Sequence, residues 1–170
     1  MRHPVFLVAS FCTALVLSLL GFMATAAVLD DIIRDWSLTN TQAGWLGGAL
    51  FAGYIATVPI LTAYTDRIDP KRIYLVCAAI GTLGNFGFGL IADGLWSGVA
   101  FRVLTGVGLA GTYMPGLKAL TDQLAAGTVQ QRGATYYTSV FALGSGLSIL
   151  VGGIAGDMAD WHWAFAVAGV

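Results

Sequence analysis

The sequence contains no glutamate, few charges of either sign and only two cysteines. Charged side chains make up 10% of its 170 residues, whereas an ordinary soluble domain has about 25%. Cys12 and Cys77 both fall inside apolar runs, where buried thiols are more common than a disulfide or a metal pair. The formal net charge of −1 provides no basic surface for a nucleic acid. These absences argue against a disulfide scaffold, a nucleic-acid-binding protein and an ordinary soluble domain.

Most of the sequence consists of long apolar runs. Hydrophobic residues make up 57% of the chain, and the mean hydropathy is +0.78. A helix of about 20 apolar residues crosses a hydrocarbon core of ~30 Å, and lipid offers backbone groups no partner outside a helix or a closed barrel. The sequence therefore predicts an all-α membrane protein with five complete transmembrane helices and the start of a sixth. The predicted spans are 5–29, 41–63, 72–92, 96–117, 133–155 and the truncated 162–170.

The first run has a second interpretation. Arg2, the apolar core and Ala24-Thr25-Ala26 also suit a cleaved secretion signal. Because that core is longer than the ~7–15 residues of a signal peptide, we predict a retained span. The segment 29–40 is then an external loop, in which Ser37 or Asn40 is predicted to cap the second helix.

Charge is concentrated in one short loop between the second and third runs. The loop between these two spans contains five charged residues close together, Asp66, Arg67, Asp69, Lys71 and Arg72. It must therefore lie at a membrane surface. The positive-inside rule places it in the cytoplasm. The basic residues assigned to this side are Arg2, Arg67, Lys71, Arg72, Lys118 and Arg132. The pattern predicts a multi-pass protein of a bacterial-type inner cell membrane with a cytoplasmic amino terminus.

The residue pattern of this loop resembles the signature motif of a known family. Asp66-Arg67-x-x-x-Lys71-Arg72 is similar to the loop between helices two and three of the major facilitator superfamily, Gly-x-x-x-Asp-Arg-x-Gly-Arg-Arg. Thr62 and Asp69 stand where that pattern has glycine. The resemblance implies the amino-terminal six-helix bundle of a twelve-span carrier, built as a three-plus-three inverted repeat. We therefore expect the chain to be a fragment that lacks the carboxyl-terminal half.

Arg102 is the most informative single residue. It lies about two turns into the fourth predicted span, roughly 9 Å from the start at 1.5 Å per residue. A charge at that depth is costly unless it faces protein or water, which makes it a functional candidate; the alternative is a side chain that snorkels to the external surface. Arg102-Val-Leu-Thr-Gly106-Val-Gly108 resembles the superfamily's helix-four pattern. That resemblance implies proton coupling or a place in the substrate cavity.

Polar and aromatic residues within the spans complete the predicted substrate path, each with helix packing as its alternative. They are Trp45, Tyr54, Asn85, Tyr113, Tyr136 and Tyr137. Small residues at steps of four predict close contact between helices. The predicted packing glycines at this spacing are Gly44 and Gly48 in helix two and Gly144, Gly152 and Gly156 in helix five, with Ser148 in the same stripe as the last three. Gly106 and Gly108, in the middle of helix four, are also predicted to allow close packing. By the resemblance, the stripes of helices two and five meet the opposite half of the carrier.

Two enzyme patterns are weak. Gly106-Val-Gly108-Leu-Ala-Gly111 spells a dinucleotide fingerprint, but it falls inside a span and lacks the preceding strand that the motif requires. Ser145, Ser148 and His162 could supply a nucleophile and a base, but no Gly-x-Ser-x-Gly elbow is present. We predict no enzymatic activity, no cofactor and no metal site.

The sequence thus predicts a secondary active transporter of a small solute, with or without a coupling proton, that works by alternating access in the lipid bilayer. Asp66, Arg67, Lys71 and Arg72 are predicted to form a cytoplasmic latch with the missing half. The alternative is a non-transporting multi-span membrane subunit or anchor.

Overall fold

The structure, a computed structural model, describes residues 4–65 and 67–168. Over these residues the chain is helical, which confirms the predicted all-α class. The elements are α1 (Pro4–Leu19), α2 (Ala24–Ala27), α3 (Leu29–Asp35), α4 (Asn40–Tyr64), α5 (Pro70–Leu90), α6 (Leu95–Thr121), α7 (Thr128–Met158) and α8 (Trp161–Ala168).

The first apolar segment differs most from its prediction as one helix over 5–29. α1 ends at Leu19, the backbone is irregular from Leu20 to Met23, and two short helices follow. The segment 29–40, predicted as a loop, therefore begins with α3. The cause of the interruption is tertiary, because side chains of two distant helices hydrogen-bond the backbone of residues 20–23.

Two helix starts are fixed by side-chain caps. Thr39, and not Ser37 or Asn40, caps α4: its hydroxyl accepts from the Gln42 N–H at 3.3 Å, and the Gln42 side chain accepts from the Thr39 N–H at 2.8 Å. Asp69 caps α5 by accepting from the Lys71 N–H at 2.9 Å. Asp69 has φ −51°, a value that any residue adopts, so this position does not need the glycine of the superfamily pattern.

Among the described residues, three helices, α4, α5 and α7, are long and apolar enough to cross a bilayer. α1 is apolar but shorter, with 16 residues. Large apolar side chains on the outer surface of α5 and α7 are exposed, among them Leu75, Val76, Leu83, Leu143 and Leu150. Such a surface suits lipid and not water. These observations agree with a membrane-embedded protein, while the count of five complete spans stays a prediction.

α6 is the central helix of the bundle. It packs against α4, α5, α1 and α7. Gly106 of α6 lies against the backbone of Leu50 in α4, and Gly108 lies against Gly81 in α5. A Cβ atom at Gly106 or Gly108 would overlap a neighbouring backbone, so α4, α5 and α6 approach as closely as glycine permits.

The buried core has two parts, and Arg102 contacts both. One part contains Leu15, Leu19, Phe22, Leu109 and Tyr137. The other contains Val28, Ile32, Leu46, Phe88 and Phe165. The Arg102 guanidinium reaches the backbone of Phe22 in the first and the rings of Phe88 and Phe165 in the second.

The two ends of the bundle differ in charge. We call the end where α4 meets α5 the basic end, and Lys118 Nζ ties α6 to it by donating to the Thr65 carbonyl at 3.3 Å. Alternation of the helices places Arg67, Lys71, Arg72, Lys118 and Arg132 at this end. The opposite, acidic end has a shallow depression lined by Asp31, Arg34, Asp35, Asp157, Asp160 and His162.

Candidate functional site

The functional candidates gather at the irregular backbone of Leu20–Met23, which we call the α1 break. In lipid, backbone groups must find partners within the protein, so a helix is interrupted only where other groups can satisfy them. At the α1 break, the carbonyls of Leu20, Gly21 and Phe22 and the N–H of Met23 all bond side chains of α6 or α7. The α1 break is therefore held from outside its own segment.

Arg102 of α6 binds two of these carbonyls. Its Nη1 donates to the Gly21 carbonyl at 3.3 Å and its Nη2 to the Phe22 carbonyl at 2.9 Å. Its Cζ lies 5.8 Å from the ring centroid of Phe88 and 6.0 Å from that of Phe165, within cation–π range. Arg102 is only 2% exposed, so its side chain points into the bundle and does not snorkel to the surface.

Ser148 of α7 binds the other two groups. Its hydroxyl donates to the Leu20 carbonyl at 2.5 Å and accepts from the Met23 N–H at 2.9 Å. The side chain is fully buried. The hydroxyl that the sequence offers as a nucleophile is thus engaged by backbone on both sides, and it joins α7 to the two ends of the α1 break.

We expect Ser148→Ala to loosen the α1 break. The change leaves the Leu20 carbonyl and the Met23 N–H unpaired, at about 1–3 kcal/mol per buried group in proteins generally and often under 1 kcal/mol in membranes. The free energy of unfolding should fall by about 1–3 kcal/mol, and amide exchange at Met23 should accelerate. Chemical denaturation in detergent and hydrogen exchange measure the two effects.

Ser145→Ala is the matched control for that experiment. Ser145 lies one turn earlier in α7, and its hydroxyl donates only to the Phe141 carbonyl of the same helix, at 2.8 Å. Its loss should leave exchange at Met23 unchanged. Equal effects of the two substitutions would contradict the role assigned to Ser148.

A cavity of about 170 Å³ opens beside the α1 break; we call it the Thr25 cavity. Its walls come from the α1 break, α2, α3, α4 and α6, and the only polar side chains among them are Thr25 and Arg102. Thr25 is 4% exposed. Within the described part of the chain, Thr25 Oγ1 and Arg102 Nε are buried atoms without a hydrogen-bond partner. Two residues that line the cavity thus each carry a buried polar atom that is sealed from it.

Asn85 lies beside the α1 break in a second cavity, of about 250 Å³, between α1, α5 and α6. Its Oδ1 is buried and has no partner among the described residues. Its amide packs directly on Gly21, where any Cβ would overlap it. Any larger residue at position 21 would therefore force the Asn85 side chain to move.

The structure does not bring the remaining predicted residues to this place. Trp45 and Tyr136 are 59% and 62% exposed on α4 and α7, and Tyr54 and Tyr113 are half-buried against the first core cluster. Tyr137, buried, has its hydroxyl 3.3 Å from the Thr112 and Tyr113 carbonyls. These contacts join α7 to the carboxyl-terminal half of α6.

The predicted latch lies at the basic end. Asp66, its acidic member, falls outside the described residues. Arg67, Lys71 and Arg72 are exposed, so their charges are accessible to a partner at that end.

The predicted packing glycines of α7 and α4 form two groups, one in contact with the rest of the bundle and one without a neighbouring side chain. Gly144, Gly152 and Gly156 of α7 lie against Leu19, Ala24 and Val28 of the N-terminal segment, whereas Gly44 and Gly48 of α4 face open space. The α7 stripe is therefore filled from within the bundle. It does not offer the surface towards an opposite half that the sequence predicted, while the α4 stripe remains open.

Comparison with known proteins decides the family. Residues 7–170 match the Major Facilitator Superfamily. The chain belongs to this superfamily. Its helical fold and three candidate spans fit that assignment, and the resemblance inferred from the Asp66–Arg72 loop is confirmed.

Relatives within the superfamily are distant. The niacin transporter NiaP of Acinetobacter baylyi is 25% identical over 145 residues, 85% of this chain and 33% of that protein. Protein spinster of Drosophila melanogaster is 27% identical over 175 residues, 98% of this chain and 27% of that protein. The sphingosine-1-phosphate transporter SPNS2 of Danio rerio is 27% identical over 163 residues, 90% and 31% of the two chains. The chain thus spans about a third or less of these relatives.

Proposed function

We propose that this chain forms the amino-terminal bundle of a secondary active transporter, which moves a small solute by alternating access. The observation that carries the proposal is the α1 break, where a buried arginine binds interrupted backbone beside a cavity. Secondary transporters bind substrates near interrupted helices, since irregular backbone is tolerated in a membrane only where it faces protein or a cavity. Membership of the superfamily supports the same conclusion.

The hydrogen bonds of the α1 break suggest how the bundle moves. Arg102 and Ser148 join the first segment to α6 and α7, and sliding of α1 past either helix would break these bonds. We propose that the bundle therefore rocks as one rigid body, with or without a coupling proton, while substrate contacts form at its surface.

The charge of the two ends supports an orientation for the bundle. Basic residues collect at the end where α4 meets α5, and we propose that this end and the amino terminus are cytoplasmic in a bacterial-type inner membrane. The open α4 stripe at Gly44 and Gly48 would receive the other half of the carrier. The latch residues Asp66, Arg67, Lys71 and Arg72 would pair with that half. The six spans and the three-plus-three repeat stay predictions.

The names of the relatives leave the substrate open. One is named for niacin and another for sphingosine-1-phosphate, and these solutes differ in size and chemistry. A substrate class therefore has to be argued from the cavity of this chain.

Transport by the full reading frame that contains this chain tests the proposal. The purified protein is reconstituted into liposomes, and uptake is measured for a panel of labelled small solutes. We expect Asp66→Ala to slow uptake about tenfold, which corresponds to a bias of ~1.4 kcal/mol between the inward and outward states.

Asp69→Asn is the control, because asparagine can also cap α5 and the change removes a carboxylate from the same loop. Uptake by this variant should match the unmodified protein. Unchanged uptake by Asp66→Ala would overturn the latch, and no uptake of any solute would favour a non-transporting membrane subunit or anchor.

A further inference from the structure

We infer that an aromatic surface on one side of the bundle binds the ring of an uncharged aromatic molecule. The inference rests on the proposed transport function, for which it names a substrate class. This surface, which we call the aromatic face, consists of Phe22 of the α1 break, Phe51 and Tyr54 of α4, Tyr113 of α6 and Phe141 of α7. The sequence singles out the two tyrosines, whereas the grouping of the five rings follows from the structure alone.

The first argument is the arrangement of the rings. The ring centroid of Phe22 lies 5.9 Å from that of Phe51 and 5.5 Å from that of Phe141. Phe141 lies in turn 5.0 Å from Tyr113, which is within electrostatic range of Tyr54. Phe51 is 47% exposed, and the two tyrosines and Phe141 are half-buried. Four of the five side chains are thus accessible, and a ligand ring can pack on them in the edge-to-face or offset geometry that aromatic pairs prefer.

The second argument is hydrogen bonding. Within residues 4–65 and 67–168, the hydroxyls of Tyr54 and Tyr113 have no hydrogen-bond partner, whereas that of Tyr137 lies against two backbone carbonyls. Tyr54 and Tyr113 are at least eight residues from either end of their helices, which is about 12 Å at 1.5 Å per residue. A hydroxyl without a partner is costly at that depth in lipid. We conclude that the aromatic face is turned towards a ligand or water and not towards lipid.

The third argument is charge. α4 contains no charged residue, and the charged residues of α6 and α7 are Arg102, Lys118, Arg132 and Asp157. Arg102 is 2% exposed, and the other three lie within four residues of a helix end. A charged ligand on the aromatic face would therefore lose water without gaining a counter-ion. The buried charge of Arg102 also opposes a cation, which the rings by themselves would attract.

These three observations define the class of ligand. The rings favour a planar ring, and the lack of accessible charge favours a neutral molecule. Each free phenol group can donate and accept a hydrogen bond, so the two tyrosines suit an amide, carbonyl or hydroxyl group on the ligand. Because Phe22 and Phe51 also line the Thr25 cavity, the ligand would lie directly beside the α1 break.

Benzamide binding to the full-length carrier tests this inference. Scintillation proximity on the immobilised protein measures the affinity for tritiated benzamide, and competition measures the affinities of benzoate and cyclohexanecarboxamide. Benzoate has nearly the same shape but carries a charge, whereas cyclohexanecarboxamide keeps the amide and lacks the aromatic ring. We expect benzamide to bind about threefold or more tightly than either of the other probes.

The double variant Tyr54→Phe/Tyr113→Phe removes both hydroxyls and keeps both rings. Because neither hydroxyl bonds the rest of the described chain, the variant should fold like the unmodified protein. Loss of these hydrogen bonds should weaken benzamide about fivefold or more. Tyr64→Phe is the matched control, since it removes an exposed hydroxyl at the end of α4, away from the aromatic face. Its benzamide affinity should be unchanged.

Phe51→Leu tests the rings separately from the hydroxyls. Phe51 is the most exposed ring of the aromatic face, and leucine replaces it with an apolar side chain that is not aromatic. We expect benzamide to lose about threefold in affinity, while cyclohexanecarboxamide should bind as before.

The outcomes separate this inference from the proposed function. Absent benzamide binding, equal or tighter binding of benzoate or cyclohexanecarboxamide, or an affinity that neither the double tyrosine variant nor Phe51→Leu lowers would overturn the inference, even if the protein transports another solute. Benzamide binding that depends on these side chains in a protein that transports nothing would support the binding surface and overturn the proposed transport function.

Discussion

Arg102→Met is expected to abolish transport while the protein still accumulates in the membrane. Methionine leaves the Gly21 and Phe22 carbonyls unpaired, at about 1–3 kcal/mol each. It also removes a buried charge whose desolvation costs several kcal/mol. Because the two effects oppose each other, the net stability should change by less than about 2 kcal/mol. What is lost is the positive charge beside the cavity and the bonds that hold the α1 break.

Three measurements on the full-length protein check this expectation. Uptake should vanish, the amount of protein in the membrane should stay close to normal, and amide exchange should accelerate over residues 20–27. Arg102→Lys is the companion variant, since it keeps the charge but lacks the planar fork that reaches two carbonyls. We expect its exchange to be intermediate. Normal uptake by Arg102→Met would refute a transport role, and a fall in protein level that accounts for the whole loss of uptake would leave Arg102 only a structural role.

Gly106→Val is expected to prevent the bundle from folding. Gly106 lies where α6 crosses α4, and an added Cβ would overlap the Leu50 carbonyl and approach the Tyr54 N–H. These are backbone atoms, which cannot rotate away as a side chain can. Overpacking usually costs about 1–3 kcal/mol, and a rigid contact on the central helix should exceed ~3 kcal/mol. Thermal unfolding in detergent should show a large fall in midpoint, or no folded protein should be recovered.

Gly44→Val provides the comparison for bundle stability. The sequence assigns Gly44 and Gly106 the same packing role, but a Cβ at Gly44 meets nothing within 4 Å. Measured on this chain alone, without the half of the carrier that we propose to cover Gly44, the substitution should lower the unfolding midpoint only slightly, through the poorer helix propensity of a β-branched residue. Similar losses in the two variants would show that the close contact at Gly106 is not what stabilises the α4–α6 crossing.

Much of the architecture could be predicted because it depends on local composition. Apolar runs of sufficient length, separated by charged loops, require helices in lipid. The helices α4 and α5 begin and end within two residues of the corresponding apolar runs, whereas α7 is five residues longer at its start and three at its end. Arg102 could also be found in advance, since an arginine in an apolar run must have a reason to be there. The residue pattern of the Asp66–Arg72 loop likewise indicated the superfamily that residues 7–170 match.

The α1 break could not be predicted in the same way. Its local sequence is apolar throughout and predicts a continuous helix. Gly21 is the only residue nearby that indicates an interruption. The groups that hold it are 80 to 128 residues away in the chain. Only a weak sequence pattern marked Ser148, which is the one hydroxyl-bearing residue in a stripe of glycines. Thr25 had none, because only the structure shows that its hydroxyl is buried and has no hydrogen-bond partner among the described residues.

The sequence by itself determined the helical membrane class, the family and the charged loop, and it singled out Arg102, because apolar length and charge act locally and can be read residue by residue. Only the tertiary structure decided where the first helix is interrupted, which backbone groups Arg102 and Ser148 bind, which glycines are filled or open, and that Thr25 shares a cavity with Arg102. Those features depend on which side chains of distant helices meet, and hydrogen bonds between residues far apart in the chain leave no local pattern.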